Sequence, residues 1–279
     1  MNDYKKIIAT IAIVLIPGLL MSVFAQKSVT LKYDVNAGDK YEYKLEIDQD
    51  IVFDAGGQTM ALDQLMNFRM TSNIDEKTGN EYKISTTVDA IKMTQSIFGM
   101  QITYDSEDPN TMQNPMAAKI GEEMNNIIGS DYTMTMDEKG HVTNVDASDV
   151  SNDELINNIS SGSNFAIYKE GSVSVGETWD GDVTPMDNSD MKVSMQYTLL
   201  KVSGKEALLG LNGTITANSI DDQEMKMNGT MTGEMTVNVN TGWLIESVLN
   251  QEIELDIEQN GQKFPATISG TVTTTSEKK

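Results

Sequence analysis

The sequence predicts a mainly β protein: long antiparallel, curved sheet built from two related β units with a small helical insert, half-barrel or clam-like in outline. Three observations carry this. Apolar residues recur with period two over long stretches, as in antiparallel strands with one buried and one wet face. Two of those stretches keep their parity straight through internal glycines, as a bent strand does and a hairpin does not. A short pattern, V-x-x-G-acid-x-aromatic, occurs twice ahead of strands, at Val35 to Tyr41 and at Val173 to Trp179.

In chain order, residues 1–25 read as a signal peptide. Lys5 and Lys6 precede an uncharged run, Ile7 to Phe24, and Val23-Phe24-Ala25 is a small-x-small cleavage site. Residues 26–279 then form a single β-rich domain with no transmembrane segment after cleavage, made of two similar halves (about 27–148 and 165–277) joined by a helical segment. Tyr41, Tyr43, Leu45, Ile47, Ile51 and Phe53 alternate with Glu42, Lys44, Glu46 and Asp48. A loop at 105–114, opened by a turn-capping Asp105-Ser106, leads to a helix over 115–128 with Pro115 in its first turn. Its apolar face is Met116, Ile120, Met124, Ile127 and Ile128. A hairpin follows, from Met134-Thr135-Met136 through Gly140 to Val142. A second helix, 152–160, has a capping box of Ser151 and Glu154 and a stripe of Leu155, Ile156 and Ile159.

The second half opens with the alternation of Met191, Val193, Met195, Tyr197 and Leu199. Leu209, Leu211, Gly213, Ile215 and Ala217 keep one parity across Asn212-Gly213. Met225, Met227, Gly229, Met231, Gly233, Met235, Val237 and Val239 do so across Asn228-Gly229. A two-residue turn there would reverse the parity, so each is read as one long strand bending at its glycines. A hairpin through Gly242 leads to Ile245, Leu249, Ile253, Leu255 and Ile257, whose other face carries Glu252, Glu254, Asp256 and Glu258. Residues 276–279 are expected to fray.

Composition removes several functions. The chain carries 20 basic and 42 acidic residues, a net charge of -22, and Arg69 is its one arginine. Such a surface repels phosphate backbones, so no nucleic acid is expected as a partner. The absence of cysteine excludes disulfides, thiolate nucleophiles and Cys-ligated metals. With His141 as the single histidine, multi-His metal sites and Ser-His-acid triads lack their parts. The acid pairs Asp48/Asp50, Asp180/Asp182, Asp187/Asp190 and Asp221/Asp222 form no EF-hand loop and read as solvated surface. Trp179 and Trp243 are expected in core or hairpin roles. The expectation is a protein that is not an enzyme, with no cofactor, no metal and no catalytic residue.

The V-x-x-G-D-x-Y opening, Tyr104-Asp105-Ser106, the span from Ile128-Gly129 to Gly140, and the V-G-E-x-W element ending at Trp179 resemble a family of exported Bacteroidota proteins of unknown function. The resemblance covers most of residues 26–279. It implies an exported β-rich protein in a Gram-negative envelope, periplasmic or secreted, and carries over no catalytic residues.

All but two of the 19 methionines follow Ala25. Methionine is flexible and polarizable, so on inward strand faces it can line an adaptable apolar site or simply fill a core. The expected ligand is a lipid or other hydrophobic small molecule held in the concave face, as in the half-barrels of periplasmic lipoprotein carriers, a likeness of fold only. Its lining is expected from Met191, Met195, Met225, Met227, Met231 and Met235, with Met116, Ile120 and Met124 as a helical lid. The alternative is a structural or partner-binding envelope protein with a filled core, contacting another protein through a face or edge.

Overall fold

The computed structural model describes residues 27–54, 58–97, 99–146, 165–183, 191–220, 223–259 and 262–279. The expected signal peptide and the expected helix at 152–160 lie outside these residues. The strands are β1 Ser28–Thr30, β2 Lys40–Asp54, β3 Thr59–Thr78, β4 Glu81–Ile97, β5 Met100–Asp105, β6 Asp131–Asp137, β7 Val142–Asp146, β8 Ser172–Ser174, β9 Thr178–Val183, β10 Lys192–Ser203, β11 Glu206–Ile220, β12 Gln223–Asn238, β13 Leu244–Gln259 and β14 Gln262–Lys278. A 3-10 turn, Pro109–Gln113, and one α-helix, α1 Pro115–Met124, lie between β5 and β6.

Twelve of the strands form one antiparallel sheet in the order β7-β6-β4-β3-β2-β14-β13-β12-β11-β10-β9, with β5 also paired to β4. The remaining two, β1 and β8, pair with each other. Buried residues from both wings, Phe68 and Ile84 on one side and Leu199 and Leu209 on the other, belong to one core. A flat sheet of this width could not bring them together, so the sheet curls around its inner face; among the described residues it does not close into a barrel, because β7 and β9 remain edges. Both glycine-containing runs are single strands, β11 and β12, as their parity predicts.

The core sits at one end of the inner face. Two stretches of chain cross it there: Leu31, Tyr33 and Val35, then Phe165 to Tyr168, all buried. Their backbones are held by the hairpin tips of the sheet, Tyr33 N–H to Glu138 O at 2.8 Å, Asp34 N–H to Thr241 O at 3.0 Å and Tyr168 N–H to Lys139 O at 2.8 Å. Trp243 stacks on Tyr41 at 4.1 Å and meets Tyr33 and Phe165 edge-on.

The repeated V-x-x-G-acid-x-aromatic pattern is the same turn built twice. Gly38 and Gly176 have φ of 89° and 88°, and each donates its N–H at 2.7 Å to the strand alongside, at Ile74 O in β3 and Leu199 O in β10. The next residue, Asp39 or Glu177, accepts back from Ile74 N–H at 2.9 Å or Leu199 N–H at 3.0 Å. Its carboxylate accepts the N–H three residues earlier, at Asn36 (3.1 Å) or Ser174 (3.0 Å). The valine of each pattern is buried and the aromatic packs inward.

Two expectations are corrected. The helix stops at Met124, capped at its start by the Asn114 side chain on Met116 N–H. Ile127 is buried in the turns beyond it, and Gly129 donates to Val88 O so that the chain can enter β6. The C-terminal residues do not fray. Ser276, Glu277 and Lys278 pair with Tyr43, Glu42 and Tyr41, Lys279 N–H donates to Lys40 O, and Lys278 pairs with Asp39 at 2.7 Å.

Candidate functional site

The inner face changes character along the strands. At the core end its side chains are fully buried, including Met134 and Met136. At the other end the alternation continues but the apolar residues are only half-buried. The boundary is one transverse row of register partners. Gln251 in β13 lies opposite Gly270 in β14, which lies opposite Gln49 in β2, then Gln64 in β3, then Gln95 in β4. On the far side the row continues through Met231 in β12 and Gly213 in β11. The four glutamines span about 19 Å at the usual strand spacing.

On the core side of this row stand Leu249, Val272, Ile47, Met66 and Met93, all part of the core or packed against it. On the open side stand Ile253, Ile268, Ile51 and Leu62, followed by Leu255, Ala266, Phe53 and Met60, all half-buried and outside the core. The result is an apolar trough extending about 13 Å along the strands beyond the glutamines. Its floor carries no charge: inward positions 41–53 of β2, 60–74 of β3, 225–237 of β12, 247–255 of β13 and 264–276 of β14 hold no Asp, Glu, Lys or Arg. Acidic residues occupy the outer face instead.

The sequence-predicted lining divides. Met195 and Met235 are 7% and 2% exposed and belong to the core. Met231 packs against the core at the glutamine row. Met225 and Met227 lie half-buried on the trough side of β12, and Met191, just ahead of β10, is half-buried. The lid residues are elsewhere. Helix α1 packs on β5 and the 3-10 turn, with Gly121 against Tyr104 and Met112. Ile120 and Met124 rest on the core, whereas Met116 is 53% exposed. Five strands of the sheet order separate β5 from β12. The glutamines were the residues that sequence reasoning missed. Their signal was a gap in the alternation: the odd-numbered apolar series of β2 skips 49, and that of β13 skips 251.

A second concavity, of about 610 Å³, lies on the outer face. It is lined by Lys44, Glu46, Asn67, Arg69, Lys92, Asp105, Glu107 and threonines 273 and 275. Arg69 forms a fork with Glu107 at 2.9 and 3.2 Å, which raises the guanidinium pKa. Lys92 pairs with Asp105 at 3.2 Å. Asp105 caps the turn as expected, accepting from Glu107 N–H, whereas Ser106 instead accepts from Ile91 N–H on the neighbouring strand β4. His141 is exposed, its Nδ1 2.9 Å from Asp137; burial pushes the Asp137 pKa up, but the His141 ring and the His141 and Lys139 N–H groups together hold it below its ordinary value. Among the described residues no three His, Asp or Glu side chains are grouped to hold a metal ion, and no helix is long and apolar enough to cross a membrane.

A family model described as a family of unknown function (DUF6263) matches twice, at residues 79–164 and 150–244, in keeping with the internal repeat. No curated protein matches the chain. Among solved structures, one described as lipid–protein interactions in lipovitellin aligns with a TM-score of 0.53 at 8% identity, over 88% of this chain and 25% of that one. The chain thus spans about a quarter of that protein's length, and the likeness is one of fold. The translocator domain of autotransporter NalP from Neisseria meningitidis aligns at 10% identity over 86% of this chain and 89% of that one, but its TM-score of 0.23 carries no argument.

Proposed function

Because the chain belongs to the DUF6263 family, whose function is unknown, we propose from its own geometry that it is an exported, non-catalytic binding protein holding a lipid or other hydrophobic ligand in the open half of its curved sheet. The observation that carries this is the trough. Rows of half-buried isoleucine, leucine, methionine and phenylalanine continue the core's alternation beyond the core itself, over a floor without charge. Concave apolar surface with a few polar groups is what small apolar ligands bind. The lipovitellin likeness supports the reading, since that structure is described by its lipid–protein interactions. Export rests on residues 1–25, and a Gram-negative, Bacteroidota envelope rests on the family resemblance. Both belong to the proposal.

Native mass spectrometry of residues 26–279 purified from an envelope-producing host tests it, with solvent extraction of bound material. The expected result is a near-stoichiometric apolar molecule. Ile51→Glu with Ile268→Glu, on adjacent strands of the trough, should remove it while the melting temperature stays close to that of the parent. A clean apo mass and no uptake of offered lipids would refute the reading. The outer groove around Arg69 would then favour the second one, a partner-binding envelope protein that contacts another protein through its outer face.

A further inference from the structure

The glutamine row is costly where it stands. A half-buried amide covered by hydrocarbon loses its water, and without a replacement hydrogen bond that desolvation goes uncompensated. A trough meant only for hydrocarbon would continue apolar side chains through positions 49, 64, 95 and 251, as on the core side with Ile47, Met66, Met93 and Leu249. Only part of this hydrogen-bonding capacity is used internally. Gln49 Nε2 donates to Gln64 Oε1 at 3.1 Å, and Gln64 Nε2 to Met93 Sδ at 3.7 Å. The side-chain amides of Gln95 and Gln251 make no hydrogen bond to another described residue. Between Gln251 and Gln49 the row passes over Gly270, where a β-carbon would clash with Asp48 O and lie 2.8 Å from Gln49 Cβ, so β2 approaches closely and Gln49 leans over the glycine. Gln251 and Gln49 therefore stand on either side of a strand that contributes no side chain to the row at the foot of the trough.

Resting on the reading that the trough holds a hydrophobic ligand, we propose that this ligand is a neutral amphiphile: a hydrocarbon chain bearing a hydroxyl, amide or ester that sits on the glutamine row between Gln251 and Gln49, with its chain on Ile51, Ile253 and Ile268. Glutamine both donates and accepts without charge, so it matches groups that do the same. A carboxylate is disfavoured twice. No cation stands on the inner face of the trough strands, and the chain's net charge of -22 repels an anion on approach. A cationic amphiphile would find no inward carboxylate to pair with.

The experiment offers twelve-carbon probes that differ only in the head: dodecane, dodecanol, dodecanamide and dodecanoate at a pH where it is ionised. Binding to residues 26–279 is followed by calorimetry and native mass spectrometry. The alcohol and amide should bind at least about tenfold more tightly than the carboxylate, the value of one good hydrogen bond. Gln49→Leu with Gln251→Leu should erase that preference and strengthen dodecane binding, with a melting curve showing that the variant remains folded. If the parent binds the probes but ranks dodecanoate equal or first, or if the double variant keeps the parent's ranking, the amphiphile assignment is wrong and the hydrophobic-site reading stands. If the folded parent binds none of the four, both are wrong. Gln49→Glu is the second variant: it should weaken every head group other than a cationic one, and an unchanged profile would count against the assignment.

Discussion

Single residues decide whether each repeat's turn can be made. Gly38 and Gly176 stand at φ near +90°, where a β-carbon is strained, and each also supplies a hydrogen bond to the neighbouring strand. Replacing either with alanine should lower stability by about 1–2 kcal/mol, read as a shift in the urea midpoint with an unchanged slope. The methionines separate at the same scale. Met235→Asp would bury an unpaired charge in a site 2% exposed and should unfold the protein, a loss of several kcal/mol. Met227→Asp, on the half-buried side of the same strand, should leave the fold in place and lower ligand uptake. A melt run beside the uptake measurement of the proposed function distinguishes the two. Sequence alone could not make this division, because Met227 and Met235 share a parity and differ only in how far along the strand the core reaches.

At the scale of elements, strand existence and continuity were legible because period two is a local property. The Asn-Gly steps in β11 and β12 failed to break the parity and failed to break the strands. Helix α1 was legible at its start, where Asn114 and Pro115 sit, and not at its end. The apolar period ran on through Ile127, but that side chain is buried from a turn. The lid assignment failed for a related reason: an apolar helical face says that something is covered, not which of twelve strands it covers. Met116→Lys should therefore change stability by less than about 0.5 kcal/mol, checked by thermal melting. The C-terminal strand reverses the usual expectation for a tail. Deleting residues 276–279 removes ladder pairs and the Lys278–Asp39 ion pair and should cost about 2–3 kcal/mol by urea denaturation.

For the molecule as a whole, the aromatic core sets an alkaline limit. Burial raises the Tyr41 and Tyr132 hydroxyls to about 12, the Asp39 charge adding to the rise at Tyr41. Burial also raises Tyr197 to about 12, and Tyr33 and Tyr43 well above their ordinary 10.0. The folded state keeps these protons when the unfolded chain releases them. Their contribution is complete below about pH 10 and is lost as pH rises through the folded values. The urea midpoint should be insensitive to these groups from pH 8 to about 10 and fall steeply above it, followed by circular dichroism alongside tyrosinate absorbance. One feature of the sheet also fixes a sequence of events in time. Its central seam joins the first long strand to the last, Tyr41 to Lys278. A chain emerging N-terminus first can assemble β2 through β7, and later β9 through β13, but the two wings cannot lock until β14 arrives. Until then β2 offers an open edge in the middle of the future sheet. Pairing across so long a stretch of chain is slow, and during that interval an unpaired edge invites other strands. Emergence of β14 is thus the step that commits this protein to its fold.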